Sequence, residues 1–299
     1  MNNSKIILSL ILLMLIESSY SIAKESRDTI HKHDPLNIWM LEHKNSIDVA
    51  RQSGFIVRAF VRFSKNKPEL VILLGETHIK TKFAHEVGSK FLEKYNVFGI
   101  EGIFLHKYIG GRLLEHTLFK MQKSLALLLK GQSNISSLET NYHKQGQQDL
   151  DIYLDNIKTD LKIVGLKHNK YNILLESNHH PSLYGQIFSV ATPLALLAWF
   201  PAVINQFYGH KTFNKIVEIT YTSFLTLSLI SAPYGIIWDR DKIMAKNLAE
   251  SFKFDKLFEP KYKEEQKNQL NTICGIMGLL HISGVGKELR KYGFENLPL

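Results

Sequence analysis

Glu69-Leu-Val-Ile-Leu-Leu-Gly-Glu-Thr-His78 is an apolar run that stops at a glycine and is followed by polar residues. Phe83, Ala84, Val87 and Phe91 then recur at helical spacing within Lys80 to Lys94, and Val97-Phe-Gly-Ile-Glu101 is a second short apolar run. This reads as strand, amphipathic helix, strand, a βαβ unit. Upstream, Phe55 to Phe63 is a β-rich run joined to Glu69 by the turn Lys65-Asn66-Lys67-Pro68, which predicts a hairpin. Downstream, Leu150, Leu154, Ile157 and Leu161 predict a helix before the strand Lys162 to Leu166. Thr272 to Leu280 and Ser283 to Lys291 read as a last strand and helix. Strands alternating with helices predict an α/β fold with a mostly parallel sheet covered on both faces.

The chain has 299 residues, 44% of them hydrophobic and 22% charged, enough for one large domain or two small ones and too apolar for disorder. One cysteine, Cys274, excludes an internal disulfide framework and a Cys-rich zinc module; its apolar setting reads as a small buried hydrophobe. The formal charge of +9 comes without a dense basic stripe, so no nucleic-acid partner is expected.

Two segments stand apart. Lys5, the apolar run Ile6 to Ile16 and Ser21-Ile22-Ala23 have the layout of an export signal, so residues 1–23 are read as a signal peptide and the protein as exported, to the periplasm or the extracytoplasmic side of a membrane. From Pro181 to Gly209, and again from Ile219 to Trp238, there is no Asp, Glu, Lys or Arg, and Lys211 and Lys215 lie in the polar stretch between. Residues 181–238 are therefore expected to be an apolar helical hairpin that enters or lies on a membrane, inserted between the two parts of the α/β domain, 24–180 and 239–299. Pro193, Pro201 and Pro233 interrupt the runs, and a buried helical pair in a soluble core would carry a similar sequence.

Function in parallel sheets gathers at the carboxyl ends of the strands. There the sequence puts Gly75-Glu76-Thr77-His78, Glu101 and Gly278-Leu279-Leu280-His281. Two imidazoles with carboxylates are a competent first shell for a divalent ion, His78, Glu101 and His281 being the candidate ligands. Gly75, Gly278 and Gly284 are taken as glycines that let the backbone approach a metal or substrate. Taken singly, a strand-end histidine is more often structural, and Glu101 would serve equally as the partner of a cation.

Gly75-Glu-Thr-His78, Gly99-Ile-Glu-Gly102, Asp239-Arg-Asp-Lys-Ile-Met-Ala-Lys-Asn-Leu248 and Gly278-Leu-Leu-His-Ile-Ser-Gly-Val-Gly286 resemble, in that order, the four motifs of the TraB/Tiki superfamily, which includes erythromycin-esterase-like and ChaN-like proteins. The resemblance covers about 65–105 and 236–294. It implies one pocket on an α/β core and, from Tiki-like members, metal-dependent proteolysis. It also implies that His78 and His281 are metal ligands or catalytic histidines, that Glu101 and Glu76 are the acidic pocket residues, and that Arg240 and Asp241 match the family's arginine and aspartate at a helix start. A carboxylate there could move a proton between water and leaving group, and Arg240 could balance an intermediate's negative charge. Asp239 as N-cap and Asp241 in the first helical turn would be equally at home structurally.

Other sites are excluded by inspection. His85-Glu86 lacks the second histidine of a zincin helix, no G-x-S-x-G elbow or phosphate-binding loop occurs, and Gly284-Val-Gly286 has Leu289 where a third glycine should stand. His179-His180 reads as a solvated pair, and Leu125 to Leu129 with Gly131 as a capped helix. The expected protein is a divalent-metal hydrolase acting on a peptide or small ester substrate. The competing expectation is a binding or sequestering protein for haem, metal or peptide, and a third is a membrane-assembly factor with an inactive α/β part.

Overall fold

The computed structural model describes residues 35–64, 67–76, 82–101, 108–109, 113, 161–166, 170–177, 179–208, 211–258 and 270–299. The expected signal peptide, His78, the helix around Leu125 to Leu129, and all but Leu161 of the helical pattern from Leu150 lie outside the described residues.

The elements are α1 (Pro35–Gln52), β1 (Ile56–Ser64), β2 (Lys67–Glu76), α2 (Lys82–Leu92), β3 (Val97–Ile100), β4 (Lys162–Leu166), β5 (Lys170–Leu174), α3 (Leu183–Tyr208), α4 (Lys211–Ala232), a π-helical turn (Pro233–Trp238), α5 (Asp239–Ser251), β6 (Asn271–Gly278), α6 (His281–Lys291) and β7 (Glu295–Leu297). The seven strands form one sheet in the order β4-β5-β3-β6-β2-β1-β7. The expected β1–β2 hairpin forms, with Val57 opposite Leu74. The βαβ unit also forms, but β6 is threaded between its two strands, parallel to both.

The sheet is mixed, which narrows the expectation of a mostly parallel one. The central four strands β5, β3, β6 and β2 run parallel, β4 and β1 flank them antiparallel, and β7, antiparallel to β1 at the edge, points the same way as the central four. The difference follows from connection length, since β1–β2 and β4–β5 are joined by stretches too short for a crossover. β2 is buried almost throughout because helices cover both of its faces, which is why it reads as a continuous apolar run. One face packs Ile72, Leu74, Phe98 and Ile276 against α1 and α2; the other packs Val71, Leu73, Ile273 and Met277 against α5 and α6.

Helices α3 and α4 pack chiefly on each other and on the π-helical turn. Their contact is made by small and hydroxyl side chains: Ala191, Ala195, Ser189, Ser228 and Ser231 are buried, and Thr192 Oγ1 and Ser228 Oγ share a hydrogen bond of 2.6 Å. Gly185 lies against Gly235 so closely that a Cβ on Gly235 would meet the Gly185 backbone. Pro193 and Pro201 do not end α3, and Pro233 opens the π turn without breaking the helix axis. Among the described residues one helix, Lys215–Ser251, which joins most of α4 to the π turn and α5, is by length and composition long and apolar enough to cross a membrane. Because α5 continues from that turn, Asp239 caps no helix start, which corrects the sequence expectation: the backbone N–H groups a cap would satisfy already bond within the preceding turn.

Candidate functional site

Parallel strands share a carboxyl edge, and here that edge is acidic. β2 ends at Glu76, which is in register with Gly278 at the end of β6. Glu101 follows β3, its N–H donating to the Ile276 carbonyl at 3.0 Å. Glu176 follows β5, and the N–H of Leu175 before it donates to the Ile100 carbonyl at 3.0 Å. All three glutamates are buried. Helices α5 and α6 bring the other groups to the same edge: Arg240 and Asp241 from the first turn of α5, His281 as the first residue of α6.

The side chains of Glu176, Arg240, Glu101, His281 and Asp241 form one connected network. Arg240 Nε donates to Glu176 Oε1 and Arg240 Nη2 to Glu101 Oε1. Glu101 Oε2 accepts from the Gly278 backbone N–H. His281 donates from Nδ1 to Asp241 Oδ1 at 2.6 Å, and its Nε2 lies 3.3 Å from Glu101 Oε1. Thus His281 stands between Asp241 and Glu101, and Arg240 between Glu176 and Glu101, so Glu101 is common to both. Asp241 Oδ2 is buried without a hydrogen-bond partner among the described residues and lies against Gly284.

The electrostatics follow from burial set against this pairing. Burial opposes a charged imidazole, yet the Glu101 charge and the bonds from Asp241 and Glu101 outweigh it and raise His281 to about 9. Burial pushes Glu176 and Asp241 above the usual carboxylate range, partly offset by Arg240 at Glu176 and by His281 at Asp241. Burial would lower Arg240, but Glu176 and Glu101 raise it instead, so it stays charged.

The sequence-predicted residues Glu76, Glu101, Arg240, Asp241, Gly278, Gly284 and His281 therefore meet at one sheet edge, while His78 falls outside the described residues. Two glycine assignments change. A Cβ on Gly75 would come within 2.6 Å of Ile282 Cγ1, so this glycine admits α6 against β2. A Cβ on Gly284 would land on the Asp241 carboxylate, so this one admits Asp241 to His281. Both are needed for helix packing rather than for approach of a ligand to the backbone.

His179 is not the solvated residue that its sequence neighbourhood suggests. It is buried, and its Nε2 pairs with Tyr108 Oη at 3.1 Å, while only His180 is exposed. Burial raises the Tyr108 phenol to about 12, with smaller contributions from Arg240, Glu176 and Asp239 that put this ring beside the same network. Glu176 and Tyr108 were missed by sequence reasoning. The legible signal for Glu176 was an apolar run closed by glutamate, Ile173-Leu-Leu-Glu176, which repeats the pattern of Gly99-Ile-Glu101.

The fit to a divalent ion is partial. The 3.3 Å between His281 Nε2 and Glu101 Oε1 matches the roughly 3.3 Å between two ligands on a tetrahedral ion with bonds near 2.0–2.1 Å. Asp241 on Nδ1 is the outer carboxylate that usually fixes a ligating imidazole. Among the described residues no group of three or more His, Cys, Asp or Glu side chains is arranged to hold a metal, so two positions are furnished and a third donor is not. No family model matches the chain, and no curated protein or solved structure is significantly similar to it.

Proposed function

We propose that this chain is an exported, membrane-associated hydrolase of the TraB/Tiki type, cleaving amide or ester bonds with peptides preferred. The observation that carries this reading is the chain of contacts Asp241, His281, Glu101, Arg240 at the shared end of the parallel strands. Such an edge is where α/β enzymes place their chemistry. In this reading His281 and Glu101, with His78, would hold a divalent ion, which when bound would supply Lewis-acid polarisation of the scissile carbonyl and a more acidic water. Asp241 fixes the imidazole ring through Nδ1. Arg240 is a positioning residue: its charge is taken up by Glu101 and Glu176, and it aims the Glu101 carboxylate at His281. Glu76, buried at the neighbouring strand end, is the candidate second carboxylate for moving a proton. The apolar pair α3–α4 is the membrane-associated hairpin of this reading.

A second reading, a protein that binds haem, metal or peptide without turnover, is favoured by one observation: the glutamates, Arg240, Asp241 and His281 are all buried. The experiment that separates them uses the full-length protein in detergent. Stoichiometric binding of zinc or manganese, with cleavage of a peptide or ester library that chelator, His78→Ala and His281→Ala each abolish, supports the hydrolase. Binding with no turnover in any library overturns it in favour of the second reading.

A further inference from the structure

The base of the α3–α4 pair carries an exposed aromatic cluster. Tyr184 at the start of α3 stacks on Tyr234 of the π turn with ring centroids 4.9 Å apart, and Tyr234 meets Trp238 edge-on at 4.5 Å. All three rings are open to the surroundings, at 47%, 41% and 51% exposure. In a soluble surface this cluster would waste apolar area. Above it on α4, Ile219, Leu227, Leu229 and Ile230 are also exposed, and only 11% of the most apolar stretch of the Lys215–Ser251 helix is buried. The far end of α4 carries Lys211, Lys215 and Glu218. From Lys215 to Trp238 is 23 steps along the chain, roughly 35 Å at 1.5 Å per residue, slightly more than the about 30 Å of bilayer hydrocarbon.

We propose that Tyr184, Tyr234 and Trp238 form an interfacial belt that lies in the lipid headgroup layer, with a bilayer as the partner that covers α3 and α4. Rings with an apolar body and a polar edge favour that layer, and the charged end of α4 marks the opposite one. Gly185 against Gly235, and Thr192 bonded to Ser228, supply the close small-residue contacts by which helices associate in lipid, where no hydrophobic drive separates lipid from helix. Trp238 is two residues from Arg240 on one continuous helix, so the belt also sets the height of the acidic edge, just on the water side of the headgroups. The inference rests on the membrane part of the proposed function and is independent of hydrolysis.

The test is depth-dependent quenching in vesicles of phosphatidylcholine and phosphatidylglycerol. Cys274 is buried, so single cysteines at Leu227, Ile230, Trp238 and Lys253 can each be labelled with a small fluorophore in the folded protein. Labels at 227 and 230 are expected to be quenched at least 2-fold more by a nitroxide deep in the acyl chain than by one at the headgroup. The label at 238 should show the reverse order, and that at 253 should respond only to an aqueous quencher. Tyr234→Trp and Tyr184→Phe, each placed in the 227- and 230-labelled proteins, keep the belt and should leave the order there unchanged. Aqueous quenching at 227 and 230 equal to that at 253 would overturn the bilayer as partner. Deep quenching at 238 would overturn the belt. Neither outcome depends on activity, so a failure of the catalytic reading would be seen separately.

Discussion

Replacing Arg240 by methionine removes the guanidinium that bridges Glu101 and Glu176 while keeping a long apolar side chain in its place. Both carboxylates are buried, so they cannot regain water without opening the sheet edge. Removing one partner of a buried ion pair costs about 3–5 kcal/mol, because the loss is the cost of a stranded charge rather than the worth of the pair. Here Glu176 loses its guanidinium partner while Glu101 keeps His281 and the Gly278 N–H, and against a typical total stability of about 5–15 kcal/mol the variant should lose a large share of its stability at neutral pH. Two features distinguish this mechanism from simple loss of packing. First, the penalty should shrink as pH falls, since burial already raises Glu176 and protonation removes the stranded charge. Second, adding Glu176→Gln to Arg240→Met should recover stability, giving a coupling of more than about 1 kcal/mol in a double-mutant cycle. The assay is urea unfolding followed by circular dichroism in detergent, at pH 5 and pH 8. A cost for Arg240→Met below about 1 kcal/mol, equal at both pH values, would refute the buried network.

Three further outcomes are expected. Gly284→Ala, which in an ordinary helix interior stabilises by roughly 0.5–1 kcal/mol, should here destabilise by about 1–3 kcal/mol because its methyl group would overlap the Asp241 carboxylate; thermal unfolding gives the sign, and a stabilised variant contradicts the packing. His281 is raised from 6.5 to about 9, so in chelator-treated protein its contribution, up to roughly 3 kcal/mol, is complete below pH 6.5 and lost as pH rises to 9, and His281→Gln should flatten that part of the pH–stability curve. Asn172 on β5 is buried with neither amide atom hydrogen-bonded among the described residues, so Asn172→Leu should be neutral or stabilising by about 1 kcal/mol; a loss above about 2 kcal/mol would show that the amide is satisfied.

Much of the sheet was legible because its strands announce themselves chemically. β2 and β6 are apolar from Leu70 to Gly75 and from Ile273 to Gly278, and both strands of the βαβ unit lie within a residue or two of their expected limits. β5 escaped notice because Lys170-Tyr-Asn-Ile-Leu174 alternates polar and apolar residues over too short a span to separate from a loop. The threading of β6 between β2 and β3 was not legible either, since local periodicity carries no information about which strand pairs with which. At the site, Glu101, Arg240, Asp241 and His281 could be picked out by motif, but their mutual neutralisation could not. That Arg240 spans Glu101 and Glu176 depends on a contact between residues 64 apart, and the run Ile173-Leu-Leu-Glu176 that marks Glu176 does not name its partner. His179 was misjudged for the same reason: it is buried and pairs with Tyr108, 71 residues away, while its immediate neighbours look like a loop.

The placement of β6 also dictates an order of events during synthesis. Its hydrogen-bond partners on either side, β2 and β3, are complete by residue 100, yet β6 itself emerges only at residues 271–278. Until then the two halves of the sheet have no central plank, and the edges of β2 and β3 that β6 will occupy stay open to other partners. Contacts this distant along the chain close slowly. A growing chain must therefore dispose of its two long apolar helices before the sheet can close, so the α3–α4 pair has to find its place while the domain to which it is joined is still unfinished.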